Sequence, residues 1–221
     1  MFIAQMMPRS ISAEAYRSIR TSIQYSSIDK KIKTLVVTSS LASEGKSTIS
    51  GNLAYVLSEN NNKVLLIDCD LRKPSLHKKF KISNEKGITD LLVNKCTINE
   101  VVKVISKGVH LITAGTIPPN PAEIVGSKAL KDFIDNMEDE YDYIVIDTPP
   151  VLAVTDAQLL AAKCDGTVLV SRAKKSRAKY VKLAYNELEK VRANVIGSIL
   201  NESDMKQKYG YYKHYSSDIK K

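Results

Sequence analysis

Two carboxylates, one residue apart, follow a short apolar run in the stretch Leu65–Arg72. Because side chains alternate along a strand, Asp68 and Asp70 would share a face if the extended backbone continued past the apolar residues. Two carboxylates on one face repel each other unless a cation lies between them, and hydrated Mg²⁺ prefers such oxygen ligands. The spacing predicts a magnesium site, with a strand followed by an ordinary polar turn as the alternative.

A second pattern is typical of a loop that binds phosphate. The apolar run at 34–38 leads through a polar loop to Gly45-Lys46-Ser47, and a helical pattern follows over residues 46–60. Strand, loop, Gly-Lys-Ser and helix in this order form the context of a Walker A loop. Its N–H groups and the helix N-terminus favour anions. The residues predicted to contact a nucleotide here are Ser43, Glu44, Gly45, Lys46, Ser47 and Thr48.

A third acid, Asp147, ends the buried run Tyr143–Asp147 and precedes a threonine and two prolines. Taken alone, it is a strand-end aspartate before a proline turn. With Lys46 and Asp68 upstream, it is better interpreted as the acid of a Walker B strand, which holds Mg²⁺ through water. We expect Lys46 to reach the β- and γ-phosphates and Ser47 to ligate Mg²⁺ directly. The predicted catalytic residues are Lys46, Asp68, Asp70 and Asp147, and the predicted metal ligands are Ser47, Asp68 and Asp147.

The elements that must position these residues are strands alternating with helices, which predicts an α/β fold with a doubly wound, mostly parallel sheet flanked by helices. All three motifs then lie at the carboxyl ends of strands, where such sheets bind ligands. We predict one P-loop domain over residues 1–201 and a flexible tail over 202–221. Within the domain, 1–11 is expected to be irregular, 12–25 to be a helix with Ser12 as its N-cap, and 98–105 to be helical.

Composition limits the classes of partner. The chain has 221 residues and a net charge of +9. The excess cations are scattered, which favours a solvated surface over an anionic lipid surface, and both over nucleic acid, so we predict no nucleic-acid partner. Three widely spaced cysteines favour a reducing cytosol without disulfides or zinc. No signal peptide or run of ~20 apolar residues is found, so we predict a cytoplasmic protein that reaches a membrane only through a partner.

Tyrosines are concentrated near the end of the sequence, at Tyr209, Tyr211, Tyr212 and Tyr215. The polar composition around them favours disorder. One interpretation is a segment that packs on the domain or stacks on nucleic acid. The other is that the phenols are substrates on a flexible chain of about 20 residues, which extends up to ~65 Å and can reach a neighbouring subunit's nucleotide.

These features together resemble the bacterial tyrosine kinases that regulate capsule and exopolysaccharide synthesis, in particular the separate cytoplasmic kinase of Gram-positive bacteria. The residues that carry the resemblance are Ser39–Thr48 (Walker A), Leu65–Arg72 (the family's second acidic box), Ile144–Asp147 (Walker B), the tail tyrosines, and Glu14, Arg17 and Arg20. The last three form an E-x-x-R-x-x-R pattern on one helix face. In the family this pattern mediates assembly of a ring, and the resemblance implies the same homo-oligomer here. The proline-rich loop at 114–121 also resembles a family loop.

The resemblance implies a protein-tyrosine kinase that uses ATP and Mg²⁺, autophosphorylates the tail between subunits and regulates polysaccharide synthesis or export. Asp68 is the preferred candidate to orient or deprotonate the tyrosine hydroxyl. Arg72 pairs with these carboxylates or with phosphate, or forms a structural ion pair. Asn201 contacts adenine or is a turn residue.

The implied partners are a transmembrane activator of the polysaccharide co-polymerase type, which would recruit the chain to the inner face of the plasma membrane, together with protein tyrosine substrates and a cognate phosphotyrosine phosphatase. The alternative function is an ATPase switch of the related MinD/ParA type. In those ATPases an extra lysine precedes the phosphate lysine by five positions, and that position here is Leu41. A nucleic-acid-binding module is a third possibility.

Overall fold

The computed structural model describes residues 2–27 and 31–203. The helices are α1 (Ile3–Met6), α2 (Ile11–Gln24), α3 (Lys46–Leu57), α4 (Leu76–Phe80), α5 (Ile88–Leu92), α6 (Ile98–Val101), α7 (Pro121–Gly126), α8 (Lys128–Met137), α9 (Asp156–Ala161) and α10 (Ala178–Lys190). The strands are β1 (Thr34–Ser39), β2 (Val64–Asp68), β3 (Lys103–Ser106), β4 (Val109–Ile112), β5 (Tyr143–Asp147), β6 (Gly166–Arg172) and β7 (Val195–Asn201). The four tail tyrosines lie outside the described residues.

The strands form one sheet in the order β3-β4-β2-β5-β1-β6-β7. Every neighbouring pair is parallel except β3 and β4. The predicted doubly wound, mostly parallel sheet is therefore confirmed. The sequence order of the strands reverses around β1, and this arrangement opens a crevice at their carboxyl ends, where such folds bind ligands.

Both faces of the central strands are buried, which explains why they are continuous apolar runs rather than alternating ones. On one face, Leu35 and Val37 pack with the helices α1, α2 and α3. On the other face, Val36 and Ile67 pack with the helices α7 to α10. Tight packing on both faces fixes the position of each strand along its own axis. It thereby fixes where the carboxyl end of each strand lies.

The N-terminal segment differs from the prediction of an irregular start. Residues Ile3–Met6 form a helix, and the preceding Phe2 is buried. Phe2 lies directly against Gly51 of α3, where a Cβ atom would come within 2.0 Å of its ring. The contact that orders this segment is thus made to α3, which is distant in the sequence. Local sequence patterns do not predict such a contact.

The predicted N-cap of α2 was also wrong. The helix begins at Ile11, and the hydroxyl of Ser10, not Ser12, accepts a hydrogen bond from the amide of Ala13 at 3.1 Å. Two serines flank Ile11, and only the backbone conformation of the first one suits a cap. Such a cap contributes about 1 kcal/mol to helix stability.

The helix predicted over 98–105 is divided. Helix α6 ends at Val101, and Lys103–Ser106 forms an edge strand antiparallel to β4. The turn between the two strands contains Gly108 in a left-handed conformation. The β-branched residues of this segment gain more from pairing with β4 than from a second helical turn, a choice that depends on a strand later in the chain.

A charged cluster joins α2 to the C-terminal end of α3. The guanidinium of Arg17 lies 3.0 Å from the carboxylate of Glu59, which also pairs with Arg20. Arg20 donates in addition to the carbonyl of Val56 at 2.8 Å. Burial by itself would raise the pKa of Glu59, but the hydrogen bonds from the two arginines outweigh it and lower the pKa below its usual value.

The cluster predicts a dependence of stability on acid pH. Because the pKa of Glu59 is lowered in the folded state, its contribution is fully present above the unfolded pKa of about 4.3 and is lost as the pH falls through the folded value. In chemical unfolding followed at several pH values, Glu59→Gln should be less stable than wild type at pH 7, and the difference should shrink toward pH 3. A difference that does not change with pH would contradict this assignment.

Candidate functional site

The phosphate loop joins β1 to α3 and is shaped by Gly45. Gly45 has a φ of +99°, a conformation that L side chains rarely adopt, and an added Cβ atom would lie 2.0 Å from the amide nitrogen of Asn201. That amide, at the end of β7, donates to the carbonyl of Glu44 at 3.1 Å. Asn201 therefore lies against the phosphate loop, where sequence analysis expected a nucleotide contact.

The side chain of Glu44 braces the loop from within. It is buried and accepts hydrogen bonds from the Ser40 hydroxyl and the Leu41 amide, both at 2.9 Å, and from Ser176. Its carboxylate does not line the cavity that opens beside the loop. The predicted nucleotide contact at this position thus reduces to the backbone of Glu44, and Ser40 serves the loop as a hydrogen-bond donor where a glycine is usual.

A cavity of about 510 Å³ opens at the carboxyl edge of the sheet. Its walls come from the phosphate loop and α3, from the segment 70–79 after β2, and from the segment 149–154 after β5. The predicted site residues that line it are Ser43, Gly45, Lys46, Ser47, Thr48, Asp70 and Arg72. Three segments distant in the sequence therefore meet at one cavity beside the start of α3.

Asp68 and Asp147 lie behind this cavity, at the ends of β2 and β5. They are direct partners in the parallel pairing of these strands, and both are fully buried. One oxygen of Asp147 accepts from the Ser50 hydroxyl at 3.0 Å, and the other has no hydrogen-bond partner in the described part of the chain. Burial raises the pKa of Asp147 to about 6, although the Lys46 ammonium and the nearby Ser47 hydroxyl act to lower it.

Asp68 anchors the segment that follows it. Its two carboxylate oxygens accept from the amides of Asp70 at 3.2 Å, Ser75 at 3.1 Å and Leu76 at 3.0 Å. Burial, and then the charge of Asp147, raise the pKa of Asp68, while the amides of Leu76 and Ser75 lower it. The carboxylate of Asp68 therefore fixes the start of α4 by accepting hydrogen bonds from its first amides.

The expected shared face of Asp68 and Asp70 is not formed, because β2 ends at Asp68 and the chain turns. The amide of Asp70 folds back onto Asp68, and the Asp70 side chain reaches the cavity wall instead. Burial raises the pKa of Asp70, while the amide of Lys73 lowers it. Asp70 is thus the acid of the pair that faces the cavity.

The donor set fits a hydrated magnesium ion. Among residues 2–27 and 31–203, no three His, Cys, Asp or Glu side chains come together as a complete metal site. Magnesium does not need one, because it is usually held by one or two protein oxygens, waters and substrate phosphates. The unpaired buried oxygen of Asp147 beside the Ser47 hydroxyl is suited to such an ion.

Two cavity residues in the segment after β2 were not predicted from the sequence. The Ser75 hydroxyl lies 2.8 Å from that of Ser47, and the Lys79 ammonium lies 3.0 Å from the Thr48 hydroxyl. Both line the cavity. The available signal was the short run after Pro74, which forms the single-turn helix α4 and was not predicted.

Arg72 forms an ion pair with Asp156, a residue for which no role was predicted. Its Nε and Nη2 atoms donate to the two oxygens of Asp156, at 3.0 and 3.1 Å. Asp156 is the first residue of α9 and is fully buried. Of the alternatives predicted for Arg72, the structure shows the structural ion pair and not a pairing with Asp68, Asp70 or Asp147, and this ion pair joins the arginine to the segment after β5.

The remaining predicted residues lie elsewhere. Arg17 and Arg20 contact the C-terminal end of α3, whereas Lys46 begins that helix, so the E-x-x-R-x-x-R pattern lies away from the cavity. Glu14 pairs with Arg17 at 3.2 Å and is mostly exposed. In the described residues, no helix has the length and apolar character needed to span a bilayer.

The geometry of the loop predicts the effect of an added methyl group. Gly45→Ala would displace Asn201 and force a strained backbone, which costs about 1–2 kcal/mol, so we expect nucleotide affinity in calorimetry to fall about tenfold or more. Gly197→Ala on β7 is the matched control, since a Cβ atom there meets nothing within 4 Å. Equal affinities for the two variants would show that the fit at Gly45 is not required.

Known proteins are similar to this chain over nearly its whole length. The profile of the family described as an AAA domain matches residues 32–199. Tyrosine-protein kinase YwqD of Bacillus subtilis (strain 168) is 40% identical over 95% of this chain and 90% of its own length. The putative tyrosine-protein kinase CapB of Staphylococcus aureus is 37% identical over 96% of this chain and 93% of its own.

Solved structures agree with the fold. The crystal structure of the chimerical protein CapA2B2 superposes with a TM-score of 0.88 at 33% identity, covering 91% of this chain and 89% of that one. The septum site-determining protein MinD of Pyrococcus horikoshii OT3, complexed with Mg-ADP, is 21% identical, and its TM-score of 0.65 over 78% of this chain and 72% of that one shows the shared nucleotide-binding fold alone. From the extent of the first matches, this chain belongs to the AAA-domain family of P-loop proteins and, within it, to the bacterial tyrosine-protein kinases.

Proposed function

We propose that this kinase transfers the γ-phosphoryl group of ATP to tyrosines in the tail of a neighbouring subunit. The observation that carries the proposal is the cavity, in which Lys46 and the start of α3 face a carboxylate of Asp70 and lie beside the unpaired oxygen of Asp147. Tyr209, Tyr211, Tyr212 and Tyr215 supply four phenols a few residues beyond Asn201. Their sequence position supports the proposal, although they lie outside the described residues.

Phosphoryl transfer needs positioning and charge neutralisation more than covalent assistance. In the proposed mechanism, the backbone amides of the loop bind phosphate oxygens and Lys46 holds the β- and γ-phosphates. Ser47, Asp147 and Asp68 are the residues that would hold Mg²⁺. When bound, Mg²⁺ would neutralise phosphate charge. Asn201, already against the loop, would contact adenine.

The acceptor hydroxyl requires a group that orients it. A phenol has a pKa near 10, so a carboxylate that accepts its hydrogen bond assists transfer without prior full deprotonation. The oxygens of Asp68 are occupied by backbone amides, whereas Asp70 lines the cavity. We therefore assign orientation of the phenol to Asp70 and retain Asp68 as an anchor of the segment after β2 that would also help to hold Mg²⁺.

The first experiment is intact-mass measurement after incubation with ATP and Mg²⁺. Wild type should gain up to four phosphates of ~80 Da each on the tail, since phosphorylation esterifies each phenol. Lys46→Met should gain none, and the variant with all four tail tyrosines changed to Phe should gain none on the tail. Release of ADP without phosphate labelling of the protein would instead favour an ATPase switch of the MinD type. Leu41 stands at the position where such ATPases have their extra lysine.

We further propose that a membrane-spanning partner activates the chain at the inner face of the plasma membrane, and that the kinase regulates capsular or extracellular polysaccharide synthesis or export. Protein tyrosine substrates and a phosphotyrosine phosphatase complete the proposed cycle. The names of the related kinases and of the CapA2B2 chimera support this setting. The mass measurement should therefore be repeated on protein isolated from its native cells, where such a partner would be present.

Ring assembly is tested by size-exclusion chromatography with light scattering. Replacing Glu14, Arg17 and Arg20 together by Ala should yield smaller particles, because the proposed neighbour contacts are removed. Glu59→Ala is the matched control: it breaks only contacts within one chain, and it removes the carboxylate that Arg17 and Arg20 share. Assembly should persist in this control. If it is lost there to the same extent, the arginines act within their own chain and the proposed intersubunit role is wrong.

A further inference from the structure

We propose that Asp156 is a positioning residue, which holds Arg72 across the phosphate cavity and thereby fixes the two segments that follow β2 and β5. The inference rests on the proposed function, because the cavity is taken to be the site of phosphoryl transfer. Asp156 would touch neither the nucleotide nor the phenol, and would act through Arg72.

The geometry of the pair is that of a fixed fork. Arg72 donates through Nε and Nη2 to separate oxygens of Asp156, at 3.0 and 3.1 Å. Two parallel hydrogen bonds between planar groups fix orientation as well as distance, which a lysine cannot reproduce.

The two partners differ in exposure, and this difference defines their roles. The side chain of Asp156 is completely buried, whereas that of Arg72 is 39% exposed and lines the cavity. A buried carboxylate requires compensation by a charged or hydrogen-bonding partner. Asp156 is therefore the rigid support, held by α9 and its packing, and Arg72 is the group presented to the cavity.

The ion pair connects two walls of the cavity. Arg72 belongs to the segment that also places Asp70, Lys73 and Ser75, and Asp156 ends the segment that contributes residues 149–154. The phosphate loop has its own braces at Glu44 and Asn201. Loss of the pair should thus leave nucleotide binding nearly intact, while it misplaces Asp70 relative to the transferred group.

The test compares Asp156→Asn, Arg72→Lys and the double variant with wild type. Asp156→Asn keeps the size of the side chain but removes its charge and one acceptor. Since small displacements of reacting groups cost large factors in rate, we expect the rate of tail phosphorylation to fall about tenfold or more in each single variant. The KM for ATP should change less than about threefold, because ground-state binding is retained. The double variant should be no slower than the slower single variant, as for two members of one interaction.

Amide hydrogen exchange of the nucleotide-free protein provides a readout that is independent of activity. Exchange should accelerate in residues 69–75 and 148–155 of the single variants, and stay unchanged in the phosphate loop. Asp132→Asn is the matched control, because it neutralises an aspartate in the exposed pair with Lys128 on α8. It should match wild type in both measurements.

The outcomes separate the two proposals. If wild type phosphorylates the tail and both single variants match it in rate and in exchange, Asp156 has no positioning role. A rise in KM with unchanged kcat would equally overturn the inference, because it would place the pair in nucleotide binding. If wild type fails to transfer phosphate at all, the proposed function fails, while faster exchange confined to the two segments still establishes that Asp156 fixes them. If Asp156→Asn does not fold, the test rests on Arg72→Lys, because that substitution changes the exposed partner of the pair.

Discussion

The pairing of β2 with β5 in a register that sets Asp68 opposite Asp147 is the constraint on which the site depends. It places two buried carboxylates on neighbouring strands, at a separation that adjacent parallel strands dictate. Such a pair is unfavourable without compensation, since burial and mutual repulsion both oppose ionisation. The compensation consists of the Lys46 ammonium, the Ser50 hydroxyl and the backbone amides at the start of α4.

The same compensation determines the shape of the cavity. Because Asp68 is occupied in holding the amides of Ser75 and Leu76, the segment after β2 is drawn over the start of α3. Ser75 and Lys79 then contact the hydroxyls of Ser47 and Thr48. The acidic box Leu65–Arg72 thus contributes two carboxylates with different roles. Asp68 holds the cavity wall formed by the segment after β2, and Asp70 lies in that wall.

Helix α3 connects this site to the surface proposed for assembly. Its first residue is Lys46, and beyond its last turn Glu59 pairs with Arg17 and Arg20 of α2. The carbonyl of Val56 near the end of the helix accepts from Arg20. Helix α3 therefore joins the phosphate loop directly to the side chains that the resemblance assigns to subunit contacts.

The sequence by itself determined every strand except β3, the placement of the motifs at the ends of parallel strands, and seven of the fifteen residues that line the cavity. It could do so because buried parallel strands are continuous apolar runs, and because the Gly-Lys-Ser loop and the acids at strand ends have fixed spacings around them. The family was equally accessible, since the acid box and the tyrosine cluster are specific in their order and composition.

Only the tertiary structure decided which side chains face the cavity and what each one contacts. Asp68 lies behind the cavity and Asp70 lies in its wall, because β2 ends at Asp68, one residue after the apolar run. Arg72 found Asp156, a residue 84 positions away, and Phe2 ordered the N-terminus against Gly51 of α3. The physical reason is common to all three cases: local patterns report burial and backbone propensity, whereas partners are chosen by the register and packing of segments remote in the chain.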